Sequence, residues 1–417
     1  MKRIFTCLAA VLVLLCGCGT EERVPEPEYY IQEAAHLYLD AELPKKDAVQ
    51  ESEDTVLNYE KVHAVWIPVM QYGDWMTGKT ETEFRNAVRE GFWKCAEFGI
   101  NTVYVHVRAY GDAYYHSDLF PAGSYLDGDY DPLAIMTEEA HARELSIHAW
   151  INPMRTASAD RLAREDAGVL GEWYRDGEKN GTFLVQSGSL YYLNPAYPEV
   201  RQLIAEGVSE IVTQYDVDGM HIDDFFYPTQ DDGFDAAAFA ESGAADLGEW
   251  RRENCSAMVR EMYGAVKEKD SALLFGISPQ GNMGTNHDKL YADTERWCSE
   301  EGFCDYIVPQ IYYGFANSTC PFAETARLWA ETASAAKLII GLAPYKIGLT
   351  DQWAGAGAQE WCTDPEVLSA QEAFCASLEQ VSGTAFYSYA SLFAPEETVA
   401  VMVQAEAERI REGWEKQ

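Results

Sequence analysis

The chain runs to 417 residues, with 68 acidic against 31 basic side chains and a formal charge of −37. So negative a surface repels nucleic acid, and no basic stripe stands along the sequence to gather phosphates; nucleic-acid binding is excluded. Of the ten cysteines, those at 7, 16 and 18 fall in the first segment, leaving an odd seven without a Cys-x-x-Cys pair. Neither a disulfide framework nor a zinc or redox motif follows. Cys298 and Cys304 stand near enough to pair in an oxidising compartment, but buried free thiols are the expected state.

The chain opens Met1-Lys2-Arg3, then an apolar run from Ile4 to Leu15, then Cys16-Gly17-Cys18. A basic start, an apolar stretch shorter than the ~20 residues of a membrane span, and a small residue before the cut mark a secretory signal. The Leu-x-Gly-Cys ending resembles a bacterial lipoprotein box, which implies lipidation of Cys18. Residues 1–18 are then signal and lipobox, and the protein is expected on the extracytoplasmic face of the cell membrane, held by its lipid. Residues 19–57 are rich in Glu, Asp, Pro and Lys without periodicity, and are expected to form a flexible acidic stalk.

From 58 to 417 the pattern changes. Apolar, β-rich runs at 62–69, 102–107, 146–151, 217–222, 273–277, 306–311, 338–342 and 384–389 predict strands. Helical patterns at 81–98, 132–144, 198–214, 246–269, 287–300, 321–336, 365–380 and 395–411 alternate with them, several opening on Pro or Asp. Short apolar strands each followed by a helix require a parallel sheet buried on both faces, and right-handed crossovers close such a series into a (β/α)8 TIM barrel. Roughly 350 residues exceed the ~250 typical of that fold, so long βα loops are expected.

A TIM barrel builds its site at the C-terminal ends of the strands. The first strand delivers Trp66, the second His106, Arg108 and the loop residues Tyr110 and Asp112, and the third Trp150, Asn152 and Arg155. The fourth brings His221, Asp223 and Asp224, with Tyr227 just beyond, and the fifth Gln280. The sixth adds Gln310 and Tyr312, the seventh Tyr345, and the eighth Tyr387 and Tyr389, of which Tyr389 is taken for the binding set. Amides, carboxylates and guanidinium groups suit sugar hydroxyls, and ring planes suit the apolar C–H faces of sugars. The expected ligand is therefore a glycan.

The segment Asp218-Gly219-Met220-His221-Ile222-Asp223-Asp224-Phe225-Phe226-Tyr227-Pro228 is the sharpest signal. Two consecutive aspartates ending a buried strand are unfavourable unless paired, hydrated or used. Alternation puts His221 on the same side as Asp223, one layer below. Asp223 is expected to serve as nucleophile or base, with Arg108, Asn152 and His221 holding it ionised.

The same segment resembles the strand-four motif of the glycosyl hydrolase-like 10 family. Val65-Trp66-Ile67, the run Val107-Arg108-Ala109-Tyr110-Gly111-Asp112, His148-Ala149-Trp150-Ile151-Asn152-Pro153, Phe275-Gly276-Ile277-Ser278-Pro279 and Pro309-Gln310-Ile311-Tyr312 extend the likeness. The resemblance implies a TIM barrel acting on glycans, bacterial cell-wall strands included, and distantly similar to α-amylase-type barrels. Those barrels place a glutamate at the end of strand five, where this chain reads Gly276-Ile277-Ser278-Pro279-Gln280-Gly281. Asp224, then Asp112, are the acids left to protonate the leaving oxygen. Two other functions compete. One is a glycan-binding lipoprotein without turnover. The other is a metal-dependent barrel hydrolase using His106, His148, His221 and Asp223, although strand one holds His63 alone and no His-x-His pair. No metal or cofactor is expected.

Overall fold

A computed structural model describes residues 56–416. The expected lipobox with Cys18, and the stalk up to residue 55, lie outside the described residues.

The strands are β1 (Val62–Ile67), β2 (Thr102–Arg108), β3 (Ser146–Ile151), β4 (Leu184–Ser187), β5 (Leu190–Leu193), β6 (Gly219–Ile222), β7 (Leu274–Ile277), β8 (Tyr306–Ile307), β9 (Lys337–Leu342) and β10 (Val381–Phe386). Among the described residues, all but β4 and β5 close one parallel barrel in the order β1-β10-β9-β8-β7-β6-β3-β2. Helices between them cover the outer face, so every residue of β2 and β3 is buried, as their unbroken apolar patterns require. Pro132 and Pro198 open their helices, and Thr80 and Glu83 form a capping box for Glu81–Phe98.

The strands differ from expectation in three places. Where a strand was expected over 306–311, pairing stops at Ile307, because Pro309 has no N–H to give the ladder; it resumes at Gln310, which bridges Gln280 on one side and Gly341 on the other. The last strand ends at Phe386, and Tyr389 begins a short helix, Tyr389–Phe393. The antiparallel pair β4–β5 lies in the long connection after β3, where no strand was expected.

Rings fill the lumen. Val62, Ala64, Trp66, Tyr104, Trp150, Tyr306, Val308, Ile339 and Ala385 pack together inside the strands, apart from the larger core beneath the helices. Glycine makes this possible: a Cβ on Gly276 would fall 1.9 Å from the Tyr306 ring. A polar chain runs through the rings. Trp66 Nε1 donates to His221 Nε2 at 3.0 Å, so that nitrogen is bare and Nδ1 carries the proton toward the Tyr306 hydroxyl at 3.1 Å. The hydroxyl in turn meets His148 Nδ1 at 2.7 Å.

The incoming chain crosses the opposite, N-terminal face. Leu57 N donates to Asp218 Oδ1 at 2.6 Å, Asn58 Oδ1 meets His148 Nε2 at 3.2 Å, and Glu60 pairs with Lys337 at 3.0 Å. On the outer side, Arg251 and Asp235 form an ion pair with no exposed surface on either side chain. Among the described residues all seven cysteines are free thiols, Cys298 and Cys304 included.

Candidate active site at the barrel mouth

The end of β6 places Asp223 and Asp224 at the mouth. Asp223 is 4% exposed. Its Oδ1 accepts from the Asn152 side-chain amide and from Phe225 N at 3.3 Å. Asn152 is held in turn: its Oδ1 accepts from Arg155 Nη2 at 2.9 Å and meets His106 Nε2 at 2.6 Å. The Arg155 guanidinium lies between two half-exposed rings, Tyr110 at 4.4 Å and Phe225 at 3.7 Å, and its Nε donates to Ala109 O. Asp224 accepts from Gln310 Nε2 at 3.3 Å, with Gln280 as a further partner.

Burial, then the neighbouring charge of Asp224, pushes the Asp223 carboxyl up to about 7, although Arg155, Asn152 and Phe225 N oppose the rise. Burial also raises Asp224, against the two glutamine amides. The charge of Asp224 acts on Asp223, so their titrations belong to the pair.

Opposite stand three tyrosines. Tyr312 lies 5.8 Å from Tyr345 and 5.9 Å from Tyr387, and Tyr345 is 6.0 Å from Tyr387, ring to ring. Burial pushes the Tyr345 and Tyr387 phenols up to about 12 and raises Tyr312 well above its ordinary value, so all three stay neutral donors at ordinary pH.

The structure thus brings together Asp223, Asp224, Tyr110, Asn152, Arg155, Gln280, Gln310, Tyr312 and Tyr345 from the expected set. Others lie elsewhere. Trp66, Trp150, His106 and His221 form the floor beneath, each at most 5% exposed; His221 is tied to Trp66 and Tyr306 and does not reach Asp223. A register shift between His106 and Arg108 turns Arg108 outward, where its guanidinium lies 4.4 Å over the Phe120 ring. Asp112 is spent on its own turn, accepting from Ala109 N and Tyr110 N at 3.1 and 2.9 Å. Tyr227 is packed against Phe234 and Tyr291. Tyr389 packs edge-on to Trp75 behind the barrel wall, so Tyr387 takes the place expected for it.

Sequence reasoning missed Phe225, and it missed Tyr192, which lies beside Arg155 and Tyr110. Tyr192 comes from β5, whose only signal is the alternation in Leu190-Tyr191-Tyr192-Leu193 after a glycine. Among the described residues, no group of three or more His, Cys, Asp or Glu side chains converges as a metal ion requires.

Barrel and mouth together define a (β/α)8 protein of the architecture found among glycosidases. The glycoside hydrolase domain of PgaB (BpsB) from Bordetella bronchiseptica superposes with a TM-score of 0.52 at 11% identity, covering 83% of this chain and 99% of that one. The profile of the glycosyl hydrolase-like 10 family matches residues 61–355, and the chain belongs to that family. Glycosyl hydrolase YngK of Bacillus subtilis is 31% identical over 365 residues, 80% of this chain and 69% of YngK. Glycosyl hydrolase DigH of Escherichia coli K12 is 29% identical over 388 residues, 82% of each chain.

Proposed function

We propose that the chain is a glycoside hydrolase that cleaves an extracytoplasmic glycan, cell-wall strands among the substrates, with Asp223 and Asp224 as its working pair. The observation that carries this reading is the buried carboxyl pair at the end of β6, both members raised by burial, facing neutral tyrosine hydroxyls. Hydrolysis needs one carboxyl that gives a proton to the leaving oxygen and one that is ionised to attack or to activate water. The singly protonated pair supplies both. The Asn152 amide, Phe225 N and the Arg155 charge favour the ionised form of Asp223, and the Gln280 and Gln310 amides that of Asp224, so the one proton belongs to the pair and is given up by the pair as a unit. Tyr110 and Phe225, held over Arg155, offer ring faces to a sugar at the rim.

The pH dependence tests the pair. Once the second proton leaves near pH 7 no acid remains, so kcat/KM should fall as pH rises through about 7. It should fall again at low pH, where both groups are protonated. Rates measured from about pH 4 to about pH 9 give the profile, and a flat alkaline side rules out a shared proton.

A glycan-binding protein without turnover is the second reading. It is favoured by the origin of both carboxyls on one strand end, since hydrolases set theirs about 5 to 9.5 Å apart around the bond. Incubation with a panel of glycans, with products read by mass, separates the two: binding without new chain ends supports the second.

The anchoring proposal rests on the Leu15-Cys16-Gly17-Cys18 ending. Cys18→Ala should move the protein from the membrane fraction to the soluble one, and continued retention in the membrane fraction refutes the lipid anchor.

A further inference from the structure

We propose that His106 is a positioning residue, which holds the Asn152 amide in the one orientation that donates to Asp223. The inference rests on the reading of Asp223 as a working carboxylate. A guanidinium can only donate, so the Asn152 atom 2.9 Å from Arg155 Nη2 must be the oxygen. The amide nitrogen then faces Asp223, and the ring nitrogen of His106 that meets the same oxygen at 2.6 Å must carry a hydrogen. His106 is therefore the Nε2–H tautomer, and its Nδ1 has no hydrogen-bond partner among the described residues.

Of the two groups on that oxygen, His106 is the fixed one. Its ring is 2% exposed and stacks on Trp150 at 3.7 Å with planes 8° apart. Burial depresses its pKa to about 3, so it stays neutral wherever the pair is active. Arg155 is half-buried on a loop, between two rings open to solvent, and an incoming sugar hydroxyl competes for its N–H groups. Without His106 the amide can turn its oxygen to Asp223, which disfavours the carboxylate and favours the acid. The other charged or titratable groups around Asp223 are Asp224 from β6, Arg155 after β3, Tyr312 after β8 and Tyr387 after β10. None of them bonds to His106.

The test reads the carboxyl directly. In protein carrying 13C-labelled aspartate, the Asp223 signal is identified by its loss in Asp223→Asn and titrated in the intact chain. His106→Phe keeps the ring on Trp150 and removes the donor, and its Asp223 titration should move up by about one unit. His106→Gln places an N–H at similar reach and should titrate as the unaltered protein does. Should His106→Phe fail to fold, His106→Asn replaces it, because its amide is too short to reach Asn152. An unchanged titration in the donor-less variant overturns the proposal, and so does an equal shift in His106→Gln. Because the titration needs no turnover, a chain that never cleaves a glycan can still support or sink the role of His106. Loss of cleavage with the titration behaving as expected would remove only the hydrolase reading.

Discussion

Asp223→Asn is expected to lower glycan cleavage by roughly 10^3-fold or more, the scale on which removing a general base or nucleophile acts. The substitution keeps shape and hydrogen bonding: the new amide oxygen can still accept from Asn152 and from Phe225 N. Stability should move the other way. The carboxyl is raised in the folded state, so its favourable contribution is complete at low pH and is lost as pH climbs from the ordinary carboxylate range through about 7. An amide has no proton to lose. At about pH 8 the variant should therefore melt a few degrees above the unaltered protein, and at about pH 4 the two should coincide. Product analysis by mass and thermal melts at the two pH values check both halves. Full activity in the variant removes Asp223 from the mechanism.

The largest loss of stability is expected from Asp235→Ala. Arg251 gives Nε and Nη2 to the Asp235 carboxylate, at 2.9 and 2.6 Å for the shorter contacts, and Nη2 also reaches Asp231 O at 2.7 Å. The guanidinium sits between the Tyr227 and Tyr291 rings, 5.1 and 4.9 Å away. Removing the carboxylate strands a charge without access to water, which destabilises by about 3–5 kcal/mol. The double variant Asp235→Ala with Arg251→Met should lose less than the single one, because no charge is left behind. Denaturant midpoints for the three proteins decide, and a single-variant loss under about 1 kcal/mol means that water reaches Arg251. The pair matters to the mouth as well. It ties down 231–235 and the Tyr227 ring, and so the chain leaving Asp224.

The barrel is legible because each strand is a short apolar run between turn residues, and several helices begin on a capping Thr, Asp or Asn. Asp223 and Asp224 are legible for the same reason, as carboxylates ending a run that burial makes inhospitable. What hides is the direction of side chains. Alternation along β2 would put His106 and Arg108 on one face, but a one-residue slip against β3 sends Arg108 to the other side. No residue type in Val105-His106-Val107-Arg108 announces that slip. An end placed three residues late on the last strand exchanges Tyr387 for Tyr389. Tyr227 reads as part of the site motif, yet the chain has already turned into the Phe234 and Tyr291 packing. Asp112 looks like a free acid until the backbone around it is drawn, since its oxygen serves two N–H groups within three residues.

The crossing of 57–60 over the N-terminal face has a practical consequence. The chain enters on the side away from Asp223, so an affinity handle, fluorescent fusion or sensor-chip linkage joined directly at residue 56, in place of the residues before it, starts on the face opposite the strand ends. A protein tethered that way presents its tyrosine wall to the bulk solution, and long polysaccharides can approach without steric conflict from the support.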